Sequence, residues 1–125
     1  MIYTSNYNNI NKYNKDRFIL VSISRTQPKN FNGLLWHELM PSNRLLNEFK
    51  SNKINWNEYK MRYNREVLDN LNPIEISQYL FAISQRYDKK DIVLLCYCSD
   101  YEHCHRSIVS RYLNKIGIYN KELIK

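Results

Sequence analysis

Two kinds of apolar pattern alternate along the chain. Phe18 to Ser24 and Ile92 to Cys96 are unbroken β-favouring runs. Such runs suit central strands buried on both faces. Ile2 to Thr4 is a shorter stretch of the same kind. Elsewhere apolar residues recur at three- and four-residue steps. Ser42 can cap a helix that carries Leu45, Leu46 and Phe49 on one face. Trp56, Tyr59, Tyr63 and Val67 mark a second helix ending near Leu71. Asn72-Pro73-Ile74-Glu75 is a start signal, with an Asn cap, Pro in the first turn and Glu75 placed for a capping box. That helix runs through Tyr79, Leu80 and Ile83 to about Tyr87, and Asp88 to Asp91 turns the chain. Ser107 to Ile116 is the last helix, closed by Gly117. Ile118 to Ile124 adds a short strand. Asn6 to Asp16 reads as a loop with one helical turn, and Pro28 to Pro41 as irregular.

Strands alternating with helices predict a small three-layer, Rossmann-like α/β fold with a short, mostly parallel sheet, formed by one domain over residues 1–125. Ligands of such sheets bind beyond the carboxyl ends of the strands. That rule brings Thr4-Ser5, Ser24-Arg25 and the segment from Cys96 to Arg106 to one rim.

Composition narrows the class. The chain has 125 residues, 43% of them hydrophobic, which is enough for a real core. No apolar run approaches the roughly 18 residues of a membrane span. Met1-Ile2-Tyr3 opens into structure rather than a signal peptide, so the expectation is a cytoplasmic protein with no membrane partner. Three cysteines without a secretory signal point to reduced thiols rather than a disulfide framework. The formal charge of +7 favours anionic partners such as nucleotides or nucleic acid. Asn, Tyr, Lys and Ile are heavily used, and their AU-rich codons weaken an argument from basicity alone. From Lys50 to Arg65, bases and aromatics interleave, which makes Lys50, Tyr59, Lys60 and Arg62 candidate nucleic-acid contacts. The same pattern also fits a helix with one core face and one solvated face.

All three cysteines and two of the histidines lie between Cys96 and Arg106. His105-Arg106-Ser107 opens a helix, where free N–H groups and the helix dipole favour an anion. Arg106 adds a fork of donors, and Arg25, Ser24, Thr4 and Ser5 join it as candidate phosphate ligands. Arg106 can instead pair with Asp100 or Glu102 and tie the loop. Cys104, between His103 and His105, is the favoured thiolate, with His105 and Cys96 as further catalytic candidates. Cys96 also suits a plain core position. Cys96, Cys98, Cys104 and His103 or His105 can supply four zinc ligands, although C-x-C is not the usual knuckle spacing. Otherwise no cofactor is expected. The order of strand, Cys, loop, Arg and helix is similar to rhodanese and tyrosine phosphatase loops, but no cysteine stands at their spacing from Arg106.

These residues carry a family resemblance. Tyr3-Thr4-Ser5, Val21 to Ser24 with Pro28, Leu45-Leu46, Phe49-Lys50, Trp56, Glu58-Tyr59, Tyr63, Glu66-Val67-Leu68 and Val93 to Tyr97 leading to Cys104-His105-Arg106 resemble the compact members of the domain-of-unknown-function 488 family. The step from Cys96 to Cys104-His-Arg is the signature. Members usually carry Glu where this chain has Cys98. The resemblance implies a small α/β fold with a polar rim and names no reaction. Three functions are therefore expected to compete. One is an enzyme on a nucleotide or nucleic acid. The second is a non-catalytic binding module, such as a phage-type protein that sequesters a nucleotide or host protein. The third is a zinc-stabilised domain.

Overall fold

Five parallel strands form one sheet in the computed structural model, which describes residues 1–123. They are β1 (Ile2–Asn6), β2 (Phe18–Ser22), β3 (Leu34–Leu35), β4 (Asp91–Cys96) and β5 (Asn120–Glu122). Their order across the sheet is β3-β2-β4-β1-β5, so the two continuous apolar runs lie side by side at its centre. β1 extends past Thr4, because Ser5 and Asn6 pair with Leu95 and Cys96. The two-residue β3 sits within the stretch expected to be irregular and is too short to leave a periodic signal. The predicted last strand is observed as β5, and Ile124 lies outside the described residues.

The helices are α1 (Tyr7–Ile10), α2 (Asn43–Lys50), α3 (Trp56–Glu66), α4 (Pro73–Arg86) and α5 (His105–Lys115). Ser42 caps α2 as expected, its Oγ accepting from Leu45 N at 3.1 Å. The capping box forms on α3, between Asn55 and Glu58, rather than on α4. At α4, Asn72 Oδ1 takes the Ile74 N–H at 2.8 Å, and Glu75 shows no return bond among the described residues. α3 stops at Glu66, and a 3-10 turn covers Leu68–Asn70. α5 begins two residues before the expected Ser107, which puts His105 and Arg106 in its first turn. It ends where Gly117 takes a left-handed φ of 92°, a conformation that favours glycine.

Side chains alternate across the sheet and divide the core in two. Ile19, Val21, Ile23, Ile92, Leu94 and Cys96 face residues of α2 to α5, including Leu45, Tyr63, Leu80 and Val109. Phe18, Val93 and Leu95 face the other way, against Tyr7, Ile10 and Phe31. Helices thus load one face heavily, and a short helix with loops makes a thin third layer. Each fully buried Val or Leu here contributes about 1.5–3 kcal/mol relative to exposure. No helix among the described residues is long and apolar enough to cross a membrane.

Candidate functional site

Strand register places Asn6 beside Cys96 at the carboxyl edge, and Ser22 beside Leu95. Asn6 Nδ2 donates to the Cys98 carbonyl at 3.2 Å, while its Oδ1 caps α1 by accepting from Asn9 N at 2.7 Å. One side chain therefore ties the loop after β4 to the loop after β1. β4 delivers Cys96, the following loop carries Cys98, and Cys104 is the residue that caps α5.

Arg106 is 1% exposed, and its guanidinium points inward. Nε bonds both Glu122 oxygens at 3.2 Å, and Nη2 bonds Glu122 Oε2 at 3.0 Å. Nη1 donates to the Cys98 carbonyl at 2.6 Å and to Cys96 Sγ at 3.2 Å. Tyr101 lies under the guanidinium at 5.5 Å. The expected partners are engaged elsewhere: Glu102 pairs with Arg111 at 2.8 Å, and Asp100 with His103 at 2.6 Å. Burial works against the Arg106 charge, but the Glu122 hydrogen bonds and nearby sulfurs outweigh it and hold its pKa above the ordinary value. With its fork occupied, Arg106 braces the loop and has little left for an incoming phosphate. Thr4 joins this brace, its Oγ1 donating to Glu122 Oε1 at 2.6 Å.

His105 is buried, and its Nε2 lies 2.7 Å from the Ile23 carbonyl. A carbonyl only accepts, so Nε2 carries the proton and Nδ1 keeps its lone pair. Burial lowers the His105 pKa and keeps the ring neutral.

The three cysteines line one pocket with this ring. Cys96 and Cys104 Sγ lie 2.6 Å apart, and each residue is 1% exposed. Burial pushes both thiols up. Cys98 is exposed, and the S–H groups of Cys104 and then Cys96 pull its pKa well down. These directions favour ionisation at Cys98 over the two buried thiols. Cys104, nearest the helix start, is the thiolate expected from sequence; its burial works against the ionised form, because a buried sulfur loses hydration. The ligand atoms of Cys96, Cys104 and His105 all lie within 4.8 Å of one another, so the cluster can hold a metal ion.

A pocket of about 150 Å³ opens over these groups. Buried Cys96, Cys104 and His105 line it together with Leu46, Phe49, Tyr59 and Tyr97, and exposed Arg25, Lys50, Cys98 and His103 line it too, as does Ser24. Arg25 and Lys50 are exposed and have no ion pair among the described residues. A wider hollow of about 790 Å³ lies over the other sheet face, lined by residues such as Asn11, Lys15, Asn30 and Asn32; Tyr97 lines both hollows, and no cysteine lines this one.

The expected site residues divide accordingly. Ser24, Arg25, Lys50, Tyr59 and the Cys-His cluster meet at the pocket; Thr4, Ser5, Arg106 and Ser107 do not line it. Ser107 Oγ is spent on the Cys104 carbonyl at 2.9 Å. Ser5 Oγ is buried with no hydrogen-bond partner among the described residues. Ser24 also faces Tyr7, whose hydroxyl lies 2.7 Å from Ser24 Oγ and 2.7 Å from Ser22 Oγ. Of the candidate nucleic-acid contacts, Tyr59 is a core side chain, 2% exposed and stacked between Trp56 and Tyr63. Arg62 is held by Glu48 at 2.5 Å and Glu66 at 3.0 Å. Lys60 stands on α3 away from the pocket lining. Sequence reasoning missed Asn6, Tyr101 and Glu122. Asn6 looked like loop composition, and nothing local marks Glu122 as the partner of Arg106.

The fold and this rim define a parallel-sheet α/β protein with a Cys-His-Arg cluster at the carboxyl edge. The family model DUF488-N3a, described as the active DUF488-N3 subclade, matches residues 2–117. The chain belongs to the DUF488 family. No curated protein and no solved structure matches it.

Proposed function

We propose that the pocket binds a nucleotide or a single-stranded segment of nucleic acid, with phosphate at Arg25 and Lys50 and the base lowered toward Cys98 and His105. The observation that carries this reading is the pocket itself: two unpaired cations edge an apolar hollow floored by thiols and a neutral imidazole. Its volume of about 150 Å³ suits one ring system and not a duplex. The net charge of +7 favours the encounter. In an enzyme built on this pocket, Cys98 is the nucleophile, His105 Nδ1 the general base, and Cys96 and Cys104 donate hydrogen bonds to the thiolate. The description of the matching subclade as active accords with a reacting centre.

Calorimetric titration with mononucleotides and a short single-stranded oligonucleotide tests the proposal. Two phosphate contacts give the oligonucleotide a roughly seven-fold loss of affinity between 50 and 200 mM salt. Arg25→Ala with Lys50→Ala should remove both the binding and that salt dependence, and the absence of affinity for any of these ligands would sink the reading. Turnover of a bound ligand separates the enzyme from a binding module that merely sequesters it.

A second reading has its own observation. His105 donates one ring N–H to a backbone carbonyl, the usual support of a zinc-ligating histidine, and its ring stands with Cys96 and Cys104. Cys98 would be the fourth ligand. Against it, tetrahedral zinc holds two sulfurs about 3.7 Å apart, and Cys96 and Cys104 stand at 2.6 Å. Metal analysis of protein purified without chelator decides: one zinc per chain supports this reading, and sub-stoichiometric zinc rules it out.

A further inference from the structure

The sulfur cluster has an order to it that ligand binding does not require. Cys96 and Cys104 are in contact and closed off from solvent. Cys98 lines the same pocket as both and is the exposed cysteine of the three. The Arg106 guanidinium holds the Cys96 sulfur and the Cys98 carbonyl together, and Glu122 fixes the guanidinium. A buried pair of thiols behind an accessible one is the layout of a relay: an oxidant too bulky or too polar for the interior can still be met at the surface.

We propose that the three cysteines form a hydroperoxide-reducing dithiol site, in which Cys98 takes the oxidising equivalent and passes it inward to a Cys96–Cys104 disulfide. In the first step the Cys98 sulfur attacks the outer oxygen of a small hydroperoxide. The O–O bond breaks, the alcohol or water leaves with a proton, and Cys98 becomes a sulfenic acid. The Cys104 sulfur then attacks the Cys98 sulfur, the S–O bond breaks, and water leaves. Finally the Cys96 sulfur attacks Cys104, the Cys98–Cys104 bond breaks, and Cys98 recovers its proton. The net change is two thiols and one hydroperoxide giving one disulfide, one alcohol or water, and one water. A low-molecular-weight thiol reductant returns the pair to its starting state by exchange. The exposed sulfur is thereby restored after each passage.

Trypsin cleavage after Lys90 and Arg106 puts all three cysteines on one peptide, residues 91–106, which makes the test direct. Full-length protein is treated with one equivalent of hydrogen peroxide, alkylated, digested and sequenced by mass spectrometry. The expected product has lost two hydrogens and carries a single alkyl group, on Cys98. Cys98→Ser, with its fold verified by circular dichroism, should form the inner disulfide at least ten-fold more slowly. Cys104→Ser should accumulate Cys98 sulfenic acid, trapped by a cyclic 1,3-dione. Three alkylatable thiols after peroxide, an inner disulfide formed at the wild-type rate in Cys98→Ser, or stoichiometric zinc that shields the sulfurs would each overturn the proposal.

Discussion

Replacing Cys104 with alanine removes the thiol that does most to hold Cys98 in its ionised form. The consequence is readable in the pH dependence of alkylation. An ordinary cysteine ionises near pH 8.5, so its thiolate fraction falls about ten-fold for each unit below that and roughly 10³-fold between pH 8 and pH 5. In the wild-type chain the neighbouring S–H donors, with His105 and Arg106 adding smaller contributions, lower the Cys98 pKa and should keep it ionised across this interval. The first thiol to react with iodoacetamide should therefore do so at a rate that changes by less than about two-fold from pH 8 to pH 5. Intrinsic nucleophilicity does not vary with solution pH, so the profile isolates ionisation. Cys104→Ala should bend the curve downward at its acid end, whereas Cys104→Ser, which keeps an S–H-like donor as O–H, should bend it less. Stopped-flow alkylation with peptide mapping of the labelled residue measures both quantities. A wild-type rate that falls ten-fold per pH unit, or first labelling at Cys104, would refute the assignment of the charge to Cys98.

Other consequences concern the scaffold. Glu122→Ala strands the buried Arg106 guanidinium and should cost about 2–3 kcal/mol in a urea titration, at or below the low end for a broken buried pair because Glu122 is 19% exposed. Glu122→Gln, which still accepts from Nε, should cost less. His105 has a lowered pKa, so the unfolded chain binds its proton more readily and stability falls as pH drops below about 6.5, by up to about 1.4 kcal/mol per unit until the folded ring itself titrates. Cys98 adds a slope of the same sign, so the difference between wild-type and His105→Gln curves, rather than either curve, reports the histidine. Tyr59→Phe should leave stability and nucleotide affinity nearly unchanged, while Tyr59→Ala should cost about 3–5 kcal/mol as a core truncation.

The sheet was readable in sequence because its central strands are buried on both faces and their apolar runs are continuous. Helix starts at Ser42 and Asn72 were readable because their caps are local. Boundaries failed where tertiary pairing decides them. Ser5 and Asn6 join β1 only because β4 lies alongside, and β3 exists only because β2 offers an edge. At the site, Cys96 to Arg106 marked the right place, but the roles inside it depend on burial. Cys98 and Cys104 look alike in sequence, and only the fold shows that one is exposed and the other buried. Arg106 could not be separated from a phosphate ligand because Glu122 approaches from the far edge strand.

The most direct test of the pocket as a nucleotide site is amide chemical-shift mapping of the isotopically labelled protein during titration with a mononucleotide. With nucleotide in the pocket, shifts should concentrate at Ser24 to Thr26, Lys50, Tyr97-Cys98 and His103 to His105, with Asn11, Lys15 and Asn30 on the opposite face unmoved. Shifts confined to that opposite face, or a spectrum unchanged at saturating nucleotide, would contradict it.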